Sequence, residues 1–249
     1  MHQPDNYFWC PECGTVEARS PERGYPPPCL RQECRTAKPR PRWQTFDRDA
    51  WDECQTHRVH ASMLRRSNVA PSARRLRLLA CAFAQFAFPQ ARQFELFARA
   101  VNGGEEWAET GAPPTDLFDL RQQVLDFALT QSAPLAEEFW GYVAIGCLHP
   151  QPELDGRQHR ARWDALADSY RELFANPFIP LTWNSDWFTP TVRDLAAHVY
   201  VARDFGAMPI LADALQDAGC DDEQVLSHCR SDKPHARGCW VLDAVLGKA

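Results

Sequence analysis

The fold class follows from residues 73–89, which read ARRLRLLACAFAQFAFP. Apolar residues recur in this stretch at spacings of three and four, which places a continuous apolar stripe along one face of a helix. The stripe consists of Leu76, Leu79, Ala80, Phe83, Phe86 and Ala87. Pro89 ends it, because proline lacks the amide donor that a helix needs. The pattern predicts an amphipathic helix packed against a core.

Similar stripes downstream predict a mainly α-helical fold. A second helix is expected to begin near Phe94 and to end at Gly103-Gly104, since glycine readily adopts the positive φ of a helix end. Further helices are predicted after Thr115, at 134–147, at 163–174, after Thr189-Pro190, and at 209–218, 222–230 and 239–246. Short strands are expected only within the first 45 residues.

The chain is predicted to be a helical bundle with a small N-terminal zinc-ribbon-like module. Eight prolines among the first 41 residues exclude a long helix there. The predicted organisation is a four-cysteine module at 1–38, a Pro/Arg connector at 39–46, a helical domain at 47–175, and a C-terminal helical segment at 176–249 packed on the same bundle.

Composition excludes two classes of protein. With 249 residues, of which 45% are hydrophobic and 9 are Trp, the chain can bury a sizeable core, so it is not a disordered protein. No run of about 18 uncharged apolar residues predicts a membrane span. No export signal opens the sequence, so the 10 cysteines are expected to be reduced thiols or metal ligands in the cytoplasm.

Two cysteine pairs near the N-terminus predict a structural zinc site. Cys10 and Cys13 form a C-x2-C pair, and Cys29 and Cys34 form a looser C-x4-C pair. Zinc is commonly held by four thiolates in a tetrahedron, and a short module without much core gains its stability from such an ion. Unligated thiols, or a redox pair at Cys10 and Cys13, are the alternatives, although the redox pair lacks a βαβ context.

A basic cluster follows the module. Residues 1–77 contain 14 Lys and Arg against 9 Asp and Glu, whereas the formal net charge of the whole chain is -6. The cluster consists of Arg58, Arg65, Arg66, Arg74, Arg75 and Arg77. Such a patch beside a zinc ribbon could contact nucleic acid. The alternative, favoured here, is a solvated face or an internal partner for the carboxylates that lie downstream.

A second group of thiols and imidazoles lies near the C-terminus. Its members are Cys220, His228, Cys229, His235 and Cys239. These groups could bind a metal or form a Cys/His nucleophile pair. Because no ligand spacing is present and Cys229 and Cys239 fall on apolar stripes, packing is the favoured interpretation.

Motifs of known catalytic sites are missing from the sequence: there is no nucleophile elbow, P-loop, dinucleotide fingerprint or HExxH. We therefore expect a non-catalytic cytosolic protein-binding or adaptor module with a structural zinc site. Four tryptophans in predicted loops are candidate exposed anchors: Trp43, Trp107, Trp183 and Trp187. The alternative is a nucleic-acid-associated accessory protein, and an enzyme using the C-terminal Cys/His group is the third possibility.

The C-terminal third resembles a known family. The stretches MPILADALQDAGCD at 208–221, HCR at 228–230 and HARGCWVLD at 235–243 are similar to a multi-copy family of uncharacterised bacterial proteins associated with planctomycete genomes. Residues 51–81 resemble the opening helices of that family. The resemblance implies a helical fold and no particular activity. This chain departs from the family pattern by adding the four-cysteine module and by lacking a long alanine- and tryptophan-rich middle.

Overall fold

The computed structural model confirms a mainly helical protein. It describes residues 7–10, 16–18, 34, 44–45, 48–54, 60, 64, 71–89, 91, 94–130, 146–149, 163–179 and 181–248. Within these ranges, no helix combines the length and the apolarity that a bilayer crossing requires.

Nine helices of the described ranges carry the architecture. They are α1 (Arg48–Glu53), α2 (Ala73–Ala87), α3 (Glu95–Thr110), α4 (Leu117–Thr130), α5 (Trp163–Leu173), α6 (Pro190–Ala202), α7 (Met208–Asp217), α8 (Glu223–Cys229) and α9 (Trp240–Leu246). Three short antiparallel strands in the order β2-β1-β3 lie near the N-terminus: β1 (Tyr7–Trp9), β2 (Val16–Ala18) and β3 (Gln44–Thr45).

Helix α2, predicted from the opening stretch, is central to the first of two cores. It begins after Ser72, whose side chain accepts a hydrogen bond from the amide of Arg75. Such a cap satisfies one of the amide groups that a helix start leaves unpaired. The helix packs against both α3 and α5, and Leu79 and Phe83 are fully buried in the contact. The apolar stripe therefore does place this helix in the interior.

Helix α3 continues through the glycine pair at which its end was predicted. It ends instead at Thr110, and the capping residue Gly111 has a left-handed φ of 72°. A Cβ on Gly104 would lie 2.7 Å from the carbonyl oxygen of Cys147 and 2.9 Å from the sulfur of Cys81. Gly104 thus allows two segments to approach closely. Glycine is needed here because a side chain would not fit, and not because of its φ.

The C-terminal helices enclose a second core. Helices α7 to α9 begin and end close to their predicted positions, and α6 begins where predicted, with the Thr189 side chain as its cap. Met208, Leu215 and Val241 are fully buried among them. The short helices of this part of the chain bury enough apolar surface together to form a core of their own.

The tryptophans predicted to be exposed anchors are used internally where the structure describes them. Trp187 is only 7% exposed in the second core. Trp183 packs against the rings of Trp187 and Trp240, and Trp107 lies on α3 beneath the guanidinium of Arg77. Trp43 lies outside the described residues.

Candidate metal centre

Four side chains with metal-binding atoms converge between the two cores. They belong to Glu172, His228, His235 and Cys239, and one donor atom from each lies within 4.8 Å of all the others. Oε2 of Glu172 is 2.9 Å from Nδ1 of His235 and 3.4 Å from Nε2 of His228. The same Nε2 is 3.2 Å from the sulfur of Cys239. The four donors therefore lie close enough together to share one ion.

The local fold explains how these side chains meet. Glu172 lies in the last turn of α5, in the first core, and His228 lies in the last turn of α8. His235 and Cys239 belong to the connection between α8 and α9. The backbone amide of Ala236 donates a 3.0 Å hydrogen bond to Oε1 of Glu172, which holds this connection against α5. Oε2 is left to face the three other donors.

The carboxylate of Glu172 is held in its charged form. Burial alone would raise its pKa, but hydrogen bonds and charge from His228 and His235 outweigh that effect and lower the pKa to about 2. A carboxylate that is 3% exposed must be paired or bound to a cation, because an isolated charge is costly to bury. Glu172 is therefore a ready anionic ligand.

Cys239 is fully buried, and its thiol is a poor acid in the absence of a cation. Burial and the negative charge of Glu172 raise its pKa well above the ordinary value, although backbone hydrogen bonds from Val241 and Leu242 act in the opposite direction. A coordinated divalent cation reverses this balance, because a thiol that binds a metal loses its proton. The amide hydrogen bonds are already in place to support the thiolate.

The donors lie at separations that a metal ion could bridge. A tetrahedral ion with bonds of about 2.0–2.1 Å separates its nitrogen and oxygen ligands by roughly 3.3 Å, close to the contacts among these donors. Nε2 of His235 is buried without a hydrogen-bond partner in the described part of the chain, so the polar contact of this ring is made through Nδ1 inside the cluster. The group could therefore hold a metal ion.

The structure separates the five C-terminal residues singled out from the sequence. His228, His235 and Cys239 come together, whereas Cys220 and Cys229 stay outside the cluster. Burial, with a further contribution from the charge of Glu172, raises the pKa of Cys229 to about 12. Both outside thiols are buried in the second core, in agreement with packing.

Sequence reasoning missed Glu172 altogether. It lies far from the Cys/His group in the chain, and spacing rules only detect ligands that are close in sequence. One signal was available, because Glu172 lies on α5 between Tyr170 and Leu173, which are both buried in the first core. A carboxylate in such a helix needs a partner.

Two of the four N-terminal cysteines are within the described residues. The sulfurs of Cys10 and Cys34 lie 3.4 Å apart, and both residues are buried. This separation exceeds a disulfide bond of about 2.05 Å and is short enough for both sulfurs to reach one ion. Cys13 and Cys29 lie outside the described residues, as does most of the predicted module.

The arginines considered for nucleic-acid contact are engaged within the fold where they are described. Arg74 forms ion pairs with Glu109 and Asp243. Arg77 is 4% exposed and donates to the carbonyl of His149. Arg75 lies over the ring of Phe174. Three further members fall outside the described residues: Arg58, Arg65 and Arg66. The described guanidinium groups thus act as internal partners.

Comparisons with known proteins yield no match: no family model, no curated protein and no solved structure is similar to this chain.

Proposed function

We propose that the protein is a non-catalytic protein-binding adaptor whose folded state depends on structural zinc. The observation that carries the proposal is the convergence of Glu172, His228, His235 and Cys239 on one point. Two imidazoles, one thiolate and one carboxylate form a donor set that suits zinc, which accepts nitrogen, sulfur and oxygen ligands in a tetrahedron.

A structural role is favoured over catalysis because the protein supplies four donors. Catalytic zinc usually has three protein ligands and keeps one position for water or substrate. The thiols also argue against a Cys/His nucleophile, since a nucleophilic cysteine needs a lowered pKa and those of Cys229 and Cys239 are raised by burial.

The position of the site indicates what the ion would do. Glu172 lies next to Leu173 of the first core, whereas Cys239 belongs to the second core and His228 precedes Cys229 of that core. An ion held by both parts would connect them and stabilise the connection between α8 and α9. The free energy of metal binding would then contribute directly to folding.

The N-terminal cysteines provide a second site in this proposal. Cys10, Cys13, Cys29 and Cys34 would hold a structural zinc ion in a ribbon-like module, as the sequence predicts. The 3.4 Å separation of the Cys10 and Cys34 sulfurs supports this assignment, as does the position of Cys10 directly after β1 of the small sheet.

Metal analysis of the purified protein tests the proposal. Protein prepared under reducing conditions should contain about two zinc ions per chain. Cys239→Ser and His235→Ala should each lose the C-terminal ion, and Cys13→Ser should lose the N-terminal one. Cys229→Ser, which changes a buried thiol outside both sites, is the matched control and should retain both ions.

Chelation supplies an independent readout. Removing zinc with a chelator should lower the melting temperature of the wild-type protein. The chelator should lower the melting temperature of Cys239→Ser by less, because that variant already lacks one ion. A Cys239→Ser variant that keeps full zinc content and the same response to chelator would disprove the C-terminal site.

A further inference from the structure

A cleft lies directly beside the candidate metal centre. It has a volume of about 560 Å³ and is bordered by residues of α1, α5, α8 and α9. Its apolar walls include Trp51, Phe174, Ile179 and Trp240. His228 belongs both to the metal cluster and to the cleft lining. The volume falls within the range of ordinary ligand pockets.

The carboxylates of the cleft outweigh its available cations. Asp52, Asp222 and Glu223 line it together with two cationic residues, Arg171 and Lys233. Both of these cations, however, bind the carboxylate of Asp168, at 2.9 and 3.1 Å, and Asp168 does not line the cleft.

The guanidinium of Arg171 is further occupied by the backbone. It donates to the carbonyl oxygens of Trp51 and Cys54. Asp222 uses one oxygen to cap α8. Asp52 has a 3.4 Å contact with the amide of Asn176, and Glu223 is exposed. Burial raises the pKa of Asp52, although the charges of Arg171 and Lys233 act to lower it. With Asp168 included, four carboxylates meet two cations in and beside the cleft, so the described residues leave a net negative charge there.

We infer that this cleft binds a short segment of a partner protein that carries a Lys or Arg side chain between apolar residues. The cation would meet Asp52 and Glu223, and the apolar side chains would contact the aromatic walls. The inference rests on the proposed protein-binding function and specifies the chemistry of the partner. A peptide is favoured over a small cation because it provides both a cation and apolar side chains.

The metal centre would support this surface. The rings of His228 and Trp240 are 4.9 Å apart, and both line the cleft. Cys239, the residue before Trp240, belongs to the metal cluster. Coordination of His228 and Cys239 would thus fix the wall against which the peptide packs. Loss of the C-terminal ion should weaken peptide binding even where the protein stays folded.

Titration with defined peptides tests the inference on the full zinc-loaded chain. The probes are acetyl-Ala-Leu-Arg-Leu-Ala-amide and its variants with Lys, Gln or Glu at the centre. Binding is measured by the change in the tryptophan fluorescence of the protein. We expect dissociation constants of about 10–500 μM for the Arg or Lys peptide and at least about tenfold weaker binding of the Glu peptide. The difference should shrink as salt rises.

Variants of the cleft carboxylates provide the specific readout. Asp52→Asn and Glu223→Gln change exposed side chains and should each weaken binding of the Arg peptide at least about fivefold. Asp217→Asn, which removes an exposed carboxylate on α7 outside the cleft lining, is the matched control and should stay within about twofold.

The outcomes distinguish this inference from the metal proposal. Absence of binding by the Arg and Lys peptides at about 1 mM, equal binding of the Glu peptide, or unchanged affinity in both cleft variants would overturn it. Equal affinity for free arginine amide would show a small-cation site and also overturn it. Zinc content measured on the same samples decides the metal proposal separately, since zinc-loaded protein that binds no peptide leaves that proposal intact.

Discussion

Arg74 and Asp243 form a bidentate ion pair that joins the two cores. Nη1 and Nη2 of the arginine lie 2.7 and 2.9 Å from the two carboxylate oxygens, although the residues are separated by 169 positions in sequence. Asp243 is fully buried, and Arg74 also bonds Glu109 and Tyr200. Burial opposes the charge of Arg74, but the hydrogen bond and charge of Asp243 raise its pKa above the ordinary value.

Replacing Arg74 should strongly destabilise the protein. Arg74→Met would leave the Asp243 carboxylate buried without its partner, and we expect the free energy of unfolding to fall by about 3–5 kcal/mol. Arg99→Met breaks the ion pair between Arg99 and Asp116, two side chains that are 43% and 49% exposed. This change should lower the free energy of unfolding by at most about 1 kcal/mol. Urea unfolding measures both, and equal losses would contradict the internal role of Arg74.

The carboxyl of Glu109 should make stability depend on acid. Burial would raise its pKa, but hydrogen bonds from Lys248 and Tyr200 and the charge of Arg74 outweigh burial and hold the pKa below 4.5. A lowered folded-state pKa adds stability above the unfolded-state value, and that stability is lost as pH falls through the folded-state value. Glu109→Gln should therefore cost about 1–3 kcal/mol at pH 7 and progressively less toward pH 3.

Urea unfolding at a series of pH values checks this dependence. Glu106→Gln removes an exposed carboxyl on the same helix and serves as the control, with an acid dependence close to that of the wild-type protein. A Glu109→Gln penalty that stays constant from neutral pH to about pH 3 would show that the carboxylate charge contributes nothing.

A methyl group at Gly104 should disturb the packing of α3. The added Cβ would lie 2.7 Å from a backbone oxygen of Cys147, which is closer than such atoms can approach. We expect Gly104→Ala to destabilise the protein by about 1–3 kcal/mol despite the better helix propensity of alanine. Gly206→Ala, whose Cβ would meet nothing closer than 3.4 Å, should change stability by less than about 0.5 kcal/mol.

The thiol of Cys229 should react slowly in the folded protein. A pKa of about 12, against an ordinary 9.0, lowers the thiolate population at neutral pH by about a thousandfold. Mass spectrometry after iodoacetamide treatment should show little modification until the protein is unfolded in urea. Modification of Cys229 as fast as that of a small-molecule thiol would instead support the Cys/His enzyme considered from the sequence.

Local patterns predicted the helices well and the contacts between them poorly. The stripe through Leu79 and Phe83 and the Thr189 cap depend on residues that are close in sequence, so both could be predicted from the sequence. Gly104 was misinterpreted as a helix end because its close neighbour, Cys147, is distant in the chain.

The candidate metal centre shows the same division. His228, His235 and Cys239 were noticed because they are close together in the sequence. Their convergence with Glu172 depends on how α5 packs against the connection between α8 and α9, and no spacing rule expresses that contact.

The order of synthesis gives the Glu172 contact a biological consequence. Glu172 is added to the growing chain 63 residues before His235. The carboxylate therefore emerges from the ribosome while its imidazole partners are still unmade or inside the exit tunnel. During that interval α5 can dock only with its carboxylate still hydrated or protonated. Emergence of the segment that carries His228 and His235, and not collapse of the first core, would be the event that lets this glutamate enter the interior as an anion.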